Sequence, residues 1–169
     1  GNISSVENFL ASRNSALNNT YMTGQFLGSH DEDGFKQKLL DGGMKEDAAT
    51  AASMVAASLQ ITAKGQPVIY YGEEIGMASK GSKDENKRIA MLWSSDSTAA
   101  GMTKGPSDAD KDINSAFDAV DKQLKDENSI LNYYKRALRL RNENPEIARG
   151  EITLIDSLCQ GYQAAITKS

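Results

Sequence analysis

The chain has 169 residues, a formal net charge of −4, 39% hydrophobic residues and a single cysteine. This length corresponds to one ordinary domain. The acidic balance gives no general attraction to phosphates, and it argues against a basic nucleic-acid-binding face. One thiol, Cys159, can form neither an intrachain disulfide nor a cysteine-based metal cluster.

The most apolar stretch, residues 48–63, is rich in alanine and is interrupted by serine, threonine and glutamine. This composition predicts a helix of a soluble domain and not a membrane span. The N-terminus lacks the basic start and the apolar run of a signal peptide. We therefore expect either that a targeting segment has been removed or that the chain is a piece of a longer one.

The first predicted element is a helix over about residues 5–17. Ser4–Glu7 has the Ser-x-x-Glu form of a capping box, and apolar residues follow at helical spacing. The segment Tyr21–Gly28 contains aromatic residues and is punctuated by glycine, which is typical of a short buried strand. His30 and Asp31 come just after this strand.

A second strand is predicted after a long helix. The sequence predicts a polar loop over residues 31–44, a helix over residues 48–63 with Gly65 as its C-terminal cap, and a strand over residues 67–72. Strand, helix and strand in this spacing form a βαβ unit, so we expect the two strands to be parallel and buried.

Residues 72–127 show no strong periodicity and form a long excursion, with residues 113–124 as the best candidate for a helix within it. A stronger helix is predicted from Ser129 to about Asn142, ended by Pro145. Beyond Gly150 the apolar residues alternate, which predicts two short strands joined near Gly161. We place a domain boundary near Gly150.

Two acidic clusters are expected at the carboxyl ends of the two parallel strands. His30, Asp31, Glu32 and Asp33 follow the first strand, and Glu73 and Glu74 follow the second. Neighbouring strands lie about 4.8 Å apart, so the clusters should be close together. Two carboxylates in such a place suggest a glycosidase, with one proton donor and one nucleophile. The alternative is a solvated acidic loop tip.

Metal-binding patterns fit poorly. One histidine cannot supply a paired-histidine site. Asp108, Asp110 and Asp112 alternate as in a calcium loop, but Ile113 and Ala119 stand where the glycine and the closing carboxylate belong. A solvated acidic turn is the preferred interpretation, and a small calcium-binding domain stays open as an alternative. We assign no metal ligand.

Four segments, taken together, resemble in order and spacing the last quarter of the α-amylase family of glycoside hydrolases. The Pro-x-Ile-Tyr-Tyr-Gly-Glu-Glu run within the second is the most specific, whereas His-Asp alone would be weak. The resemblance covers about residues 4–150. The segments are Phe26–Asp31, Gly65–Met77, Arg88–Trp93, and Ser129–Tyr134 with its continuation to Pro145.

The resemblance implies an α/β fold that is part of a (β/α)8 (TIM) barrel. Residues 1–150 would form the C-terminal portion of the catalytic barrel, namely the last two βα units with the preceding helix. Residues 151–169 would begin the C-terminal β-sandwich domain. Two parallel strands cannot close a barrel, so we expect exposed apolar faces and association into a homo-oligomer.

The resemblance also assigns site residues. Asp31 matches the third catalytic carboxylate of the family, which stabilises the oxocarbenium-like transition state, and His30 matches the histidine that holds the same sugar ring. Arg88 matches, less strictly, a substrate-binding arginine. Glu73 and Glu74 match neither the nucleophile nor the acid, against the carboxylate pair considered above. Departures from the family pattern are Ser29, Gly34 and Ala90.

The nucleophilic aspartate of a Gly-x-Arg-x-Asp strand and the acid glutamate have no counterpart in this sequence. We therefore expect a fragment of a retaining glycosidase that acts on starch or maltooligosaccharides and is inactive alone. The alternative is a non-catalytic carbohydrate-binding or interaction module. The expected partners are an α-glucan or oligosaccharide and the missing N-terminal part, with no nucleic acid and no membrane.

The resemblance implies no cofactor, although the parent enzyme could hold calcium. Linkage specificity, the choice between hydrolysis and transfer, and localisation, whether secreted, at the cell surface or cytoplasmic, are left open.

Overall fold

A computed structural model of the chain describes residues 3–18, 23–111, 117–150, 152–154 and 166–168. None of the helices in these ranges has the length and the apolar run needed to cross a bilayer. The elements are α1 (Ile3–Ala16), β1 (Gly24–Gln25), α2 (Phe35–Asp41), α3 (Glu46–Thr62), β2 (Gln66–Pro67), α4 (Val120–Gln123), α5 (Ile130–Glu143), α6 (Pro145–Arg149), β3 (Ile152–Leu154) and β4 (Ile166–Lys168), with two 3₁₀ turns, Glu73–Ile75 and Asp84–Lys87, between β2 and α4.

The two strands β1 and β2 are parallel neighbours, as the βαβ pattern predicts. The amide of Gln66 donates to the carbonyl of Thr23 at 2.9 Å, and the amide of Val68 donates to the carbonyl of Gln25 at 2.7 Å. Both strands are shorter than predicted, since within the described part of the chain each has a ladder partner on one side only. Pro67 does not interrupt this pairing, because the amides that donate to β1 are those of Gln66 and Val68. Residues 19–22 lie outside the described part.

Two small hydrophobic clusters hold the elements around this strand pair. The first joins α3 to α5 through Ala57, Ile61, Ile130 and Tyr134. The second gathers Ile75, Met77, Ala78 and Ile89 from the segment after β2. Small side chains on α3 allow α5 to pack closely, so the segment that follows β2 is held from two sides.

Helix α5 agrees closely with the sequence prediction. The Ser129 hydroxyl accepts from the amide of Asn132 at 3.2 Å and thereby caps the helix. Pro145 ends α5, as expected, and also occupies the first position of the short helix α6, which the pattern did not predict. Helix α2 lies within residues 31–44, for which the polar sequence predicts a loop. Of the predicted helix over residues 113–124, residues 113–116 lie outside the described part, and the described remainder forms only the short helix α4.

Gly65 is not the C-terminal cap of α3 that the sequence predicts, because Ala63 occupies that position. Helix α3 ends at Thr62, the next residue Ala63 has an extended backbone, and Gly65 follows with a φ of +108°. A Cβ at Gly65 would lie 2.5 Å from the carbonyl oxygen of Thr23. Glycine is needed there because the chain passes directly against the residue that precedes β1.

The C-terminal strands β3 and β4 form a separate antiparallel pair, with Ile152 opposite Lys168. Two strands were expected here, and their predicted junction near Gly161 lies outside the described residues. The boundary near Gly150 stays a prediction.

Several large apolar side chains are exposed on α3 and directly after β1 and β2. Phe26, Val55, Leu59 and Val68 are each 49% to 61% exposed. They are the uncovered surface that an incomplete barrel is expected to have. Self-association through this surface stays a prediction.

Candidate active site

His30 and Asp31 lie in the loop that follows β1. Nε2 of His30 is 3.2 Å from Oδ2 of Asp31, and the two side chains are 62% and 66% exposed. The amide of Asp31 donates to the hydroxyl of Ser29 at 3.2 Å, which makes a local turn. The turn presents the carboxylate to solvent at the carboxyl end of the strand pair.

Arg88 reaches the same carboxylate from the segment after β2. Its Nη2 donates to Oδ1 of Asp31 at 3.3 Å, across 57 residues of sequence, and to Oδ2 of Asp84 at 3.5 Å. The three residues that the resemblance assigned, His30, Asp31 and Arg88, are therefore adjacent in space. An ion pair this exposed contributes at most about 1 kcal/mol to stability, so its importance lies in orientation.

Two tyrosines fix the backbone on both sides of Arg88. The hydroxyl of Tyr70 donates to the carbonyl of Lys87 at 3.0 Å, and the hydroxyl of Tyr71 donates to the carbonyl of Ile89 at 2.9 Å. Burial raises the pKa of Tyr70 to about 12, so it stays a hydrogen-bond donor. No local sequence pattern indicates these two contacts, because they connect residues 17 and 18 positions apart.

The end of the His30–Asp31 loop is attached to the segment after β2. The amide of Gly34 donates to the carbonyl of Ser79 at 2.9 Å. A Cβ at Gly34 would lie 3.2 Å from the carbonyl oxygen of Met77. This close approach leaves little room for a side chain at position 34, where the sequence departs from the family pattern.

Glu73 is placed differently from Asp31. Within the described part of the chain it accepts a 2.7 Å hydrogen bond from the hydroxyl of Tyr134 and makes none to Asp31. Burial, opposed by the Tyr134 hydrogen bond, raises the pKa of Glu73 to about 7. The neighbouring Glu74 also has a buried carboxyl oxygen. These two carboxyls are not a solvent-facing partner for Asp31.

The aspartates of the suggested calcium loop have other partners. Oδ1 of Asp110 accepts from Lys83 at 2.7 Å and Oδ2 from Asn86 at 2.8 Å, while the carbonyl of Asp108 accepts from Lys83 at 3.2 Å. Asp112 lies outside the described residues. In the described ranges no three His, Cys, Asp or Glu side chains are grouped to hold a metal ion.

The site and its βαβ frame have the form of an α/β enzyme whose reacting groups lie at the carboxyl ends of parallel strands. Residues 2–150 match the family model described as "Alpha amylase, catalytic domain". The chain belongs to the α-amylase family of glycoside hydrolases.

Relatives are found among both sequences and structures. The chain is 35% identical to alpha-amylase SusG of Bacteroides thetaiotaomicron over 134 residues, which are 79% of this chain and 18% of that protein. It is 30% identical to a cyclomaltodextrinase of Thermoanaerobacter pseudethanolicus over 124 residues, 73% of this chain and 15% of that protein. The solved structure of Eubacterium rectale Amy13B matches with a TM-score of 0.86 at 33% identity, covering 98% of this chain and 32% of that one.

The chain thus spans less than a fifth of these two curated relatives and about a third of the solved structure. The neighbours imply that the two parallel strands belong to a TIM-barrel fold.

Proposed function

We propose that this chain supplies the Asp31 side of the sugar-binding site of a retaining glycoside hydrolase that cleaves α-glucosidic bonds in starch or maltooligosaccharides. The observation that carries the proposal is the gathering of Asp31, His30 and Arg88 at the carboxyl end of a parallel strand pair. The names of the relatives, an alpha-amylase and a cyclomaltodextrinase, support α-glucans as the substrate class.

The chemistry assigned to Asp31 is electrostatic. Cleavage of a glycosidic bond passes through a transition state with positive charge on the sugar ring, and an ionised carboxylate nearby stabilises that charge. Arg88 and His30 hold the carboxylate from its two oxygens. Both side chains also leave donors free to reach sugar hydroxyls, because the site is exposed.

The proposal assigns residues 1–150 to the last two βα units of the barrel with their preceding helix, and residues 151–169 to the start of a β domain. The matched family range, which ends at residue 150, supports this division. A retaining mechanism needs a nucleophile and an acid on the two sides of the bond. The sequence contains no Gly-x-Arg-x-Asp segment, so the chain alone should not cleave glucans.

Two assays test this proposal. The purified chain is incubated with maltoheptaose, and a chimera in which residues 2–150 replace the corresponding part of SusG is incubated in parallel. We expect no cleavage by the chain and clear cleavage by the chimera. Rapid cleavage by the chain alone would contradict the missing-acid argument.

Calorimetric titration with maltooligosaccharides distinguishes part of a glycosidase from the alternative, a non-catalytic carbohydrate-binding module. An incomplete cleft binds weakly, because it buries little of the ligand. Saturable, tight binding by the isolated chain would instead identify it as a carbohydrate-binding module.

A further inference from the structure

A small cavity of about 30 Å³ adjoins the segment that leads into His30 and Asp31. Gly28 and Ser29 line it from the loop after β1, Glu73 from the 3₁₀ turn after β2, and Tyr134 from α5. The cavity thus joins the candidate active-site loop to a carboxyl group that the proposed chemistry does not use.

The backbone that carries Glu73 is fixed by the turn before it. Gly72 has a φ of +86°, and a Cβ there would lie 2.6 Å from a methionine methyl group of Met77. The amides of Ile75 and Met77 both donate to the carbonyl of Gly72, at 3.1 Å and 2.8 Å. Because these contacts restrict the backbone of the turn, they also fix the direction in which the Cα–Cβ bond of Glu73 points.

The two carboxyl oxygens of Glu73 have different surroundings. Oε1 accepts from the hydroxyl of Tyr134 at 2.7 Å, and Tyr134 is only 2% exposed. Oε2 is shielded from solvent and has no hydrogen-bond partner among the described residues. A Cβ at Gly28 would lie 3.6 Å from this oxygen. A buried polar atom without a partner is unusual, since it loses its contact with water and gains no hydrogen bond in exchange.

The segment beside Oε2 is coupled to Asp31 through the local turn. Gly28 precedes Ser29, whose hydroxyl accepts from the amide of Asp31 at 3.2 Å. A displacement of the backbone at Gly28 and Ser29 therefore moves the carboxylate that Arg88 and His30 hold.

We propose that Glu73 is a positioning residue, which fixes the backbone of Gly28 and Ser29, and through it the Asp31 carboxylate, by donating a hydrogen bond from Oε2 when the carboxyl is protonated. The cavity has room for one bridging water molecule in this contact. The value of positioning Asp31 rests on the proposed function, whereas the contact itself does not.

The environment keeps Glu73 protonated in mildly acidic solution and about half protonated near pH 7. Burial raises the pKa of Glu73 to about 7, the Tyr134 hydrogen bond lowers it, and the charge of Glu74 raises it further. Lys36 also lines the cavity but pairs with Glu46. The remaining titratable groups around the cavity are Glu32, which pairs with Lys38, and the phenols of Tyr70 and Tyr71.

The test is a pH titration of the full chain by ¹⁵N NMR in a His30→Gln background. Since His30 is the single histidine, this background removes any imidazole titration. We expect the amide shifts of Gly28 and Ser29 to follow a transition with a midpoint near pH 7. Glu73→Gln, which keeps both an acceptor and a donor but cannot titrate, should abolish that transition.

Two adjacent tyrosines on α5 provide a matched pair of variants. Tyr134→Phe removes the hydrogen bond that lowers the pKa of Glu73, so the midpoint should move to higher pH. Tyr133→Phe removes a hydrogen bond to Ser58 instead and should leave the midpoint unchanged. Equal effects of the two variants, or an unchanged transition in Glu73→Gln, would overturn the proposal.

Gly28→Ala keeps the test decisive if Glu73→Gln fails to fold. The added methyl group lies at ordinary contact distance from Oε2 and removes water from beside it, so the midpoint of the transition at Ser29 should move to higher pH. An unchanged midpoint would exclude a contact through this cavity. The titration involves no sugar and no cleavage, so its failure and the failure of the proposed function are distinguishable.

Discussion

Replacement of Glu73 by glutamine should make the chain more stable above neutral pH and leave its stability unchanged in acid. In the unfolded chain this carboxyl has its ordinary pKa of 4.5, whereas burial raises the folded pKa to about 7. Between these values the folded chain binds a proton that the unfolded chain does not. The free energy of unfolding therefore falls as pH rises through 7, and the stabilisation is complete only below 4.5.

The size of the effect follows from the shift. One pKa unit corresponds to about 1.4 kcal/mol, and partial solvent screening reduces the total to about 2 kcal/mol. Glutamine is neutral at every pH and still accepts from Tyr134, so it avoids this loss. At pH 8.5 the variant should exceed the parent chain by about 2 kcal/mol, and at pH 4.5 the two should agree within about 0.5 kcal/mol.

Urea denaturation followed by far-UV circular dichroism, repeated at half-unit steps of pH, measures this difference. Glu146→Gln is the control, because it makes the same chemical change at an exposed position of α6. Stability curves of the parent chain and Glu73→Gln that run parallel from pH 4.5 to 8.5 would refute the reasoning.

Three further substitutions test the frame around the site by the same denaturation assay. Arg141→Ala should lower the free energy of unfolding by about 3 kcal/mol, since its guanidinium donates to the carbonyls of Ile61, Ala63 and Gly65. The exposed control Arg139→Ala should change it by less than about 0.5 kcal/mol. Equal losses in the two variants would contradict the assignment. Asn86→Ala should cost about 2–3 kcal/mol, because the Asn86 amide, 2% exposed, joins Asp110 to the turn at Asp84–Lys87; a loss below about 0.5 kcal/mol would show that the contact is dispensable. Gly72→Ala should cost more than about 2 kcal/mol, as the added methyl group overlaps Met77 at a positive φ, and a stabilising effect would contradict the geometry of that turn.

The parts of the fold that local sequence determines were predicted well. Helix α5 has a serine cap, an apolar stripe and a terminal proline, and each acts within a few residues. The parallel pairing of β1 and β2 followed from the spacing of strand, helix and strand. The predicted strands are longer than the observed ones, because strand length depends on ladder partners on both sides and the described residues supply a partner on one side only.

The sequence predicts which residues form the candidate site, but it does not predict the contacts that hold them in place. His30, Asp31 and Arg88 were assigned from motifs, and the structure brings them together. The sequence does not predict the hydrogen bonds of Tyr70 and Tyr71 to the backbone beside Arg88, nor the hydrogen bond between Tyr134 and Glu73. Each of these hydrogen bonds joins residues that are 17 to 61 positions apart in sequence. A local sequence pattern does not indicate which distant segments come into contact.

The most direct test of the account is the turnover number of the SusG chimera with Asp31→Asn, measured on maltoheptaose beside the matched control Asp41→Asn. Asp41 is an exposed carboxylate of α2 that accepts from Gln37, and its replacement should change kcat less than about twofold. We expect Asp31→Asn to lower kcat by at least about a hundredfold, because the transition-state charge loses its nearby carboxylate. A kcat for Asp31→Asn within a factor of a few of the control would contradict the role assigned to Asp31.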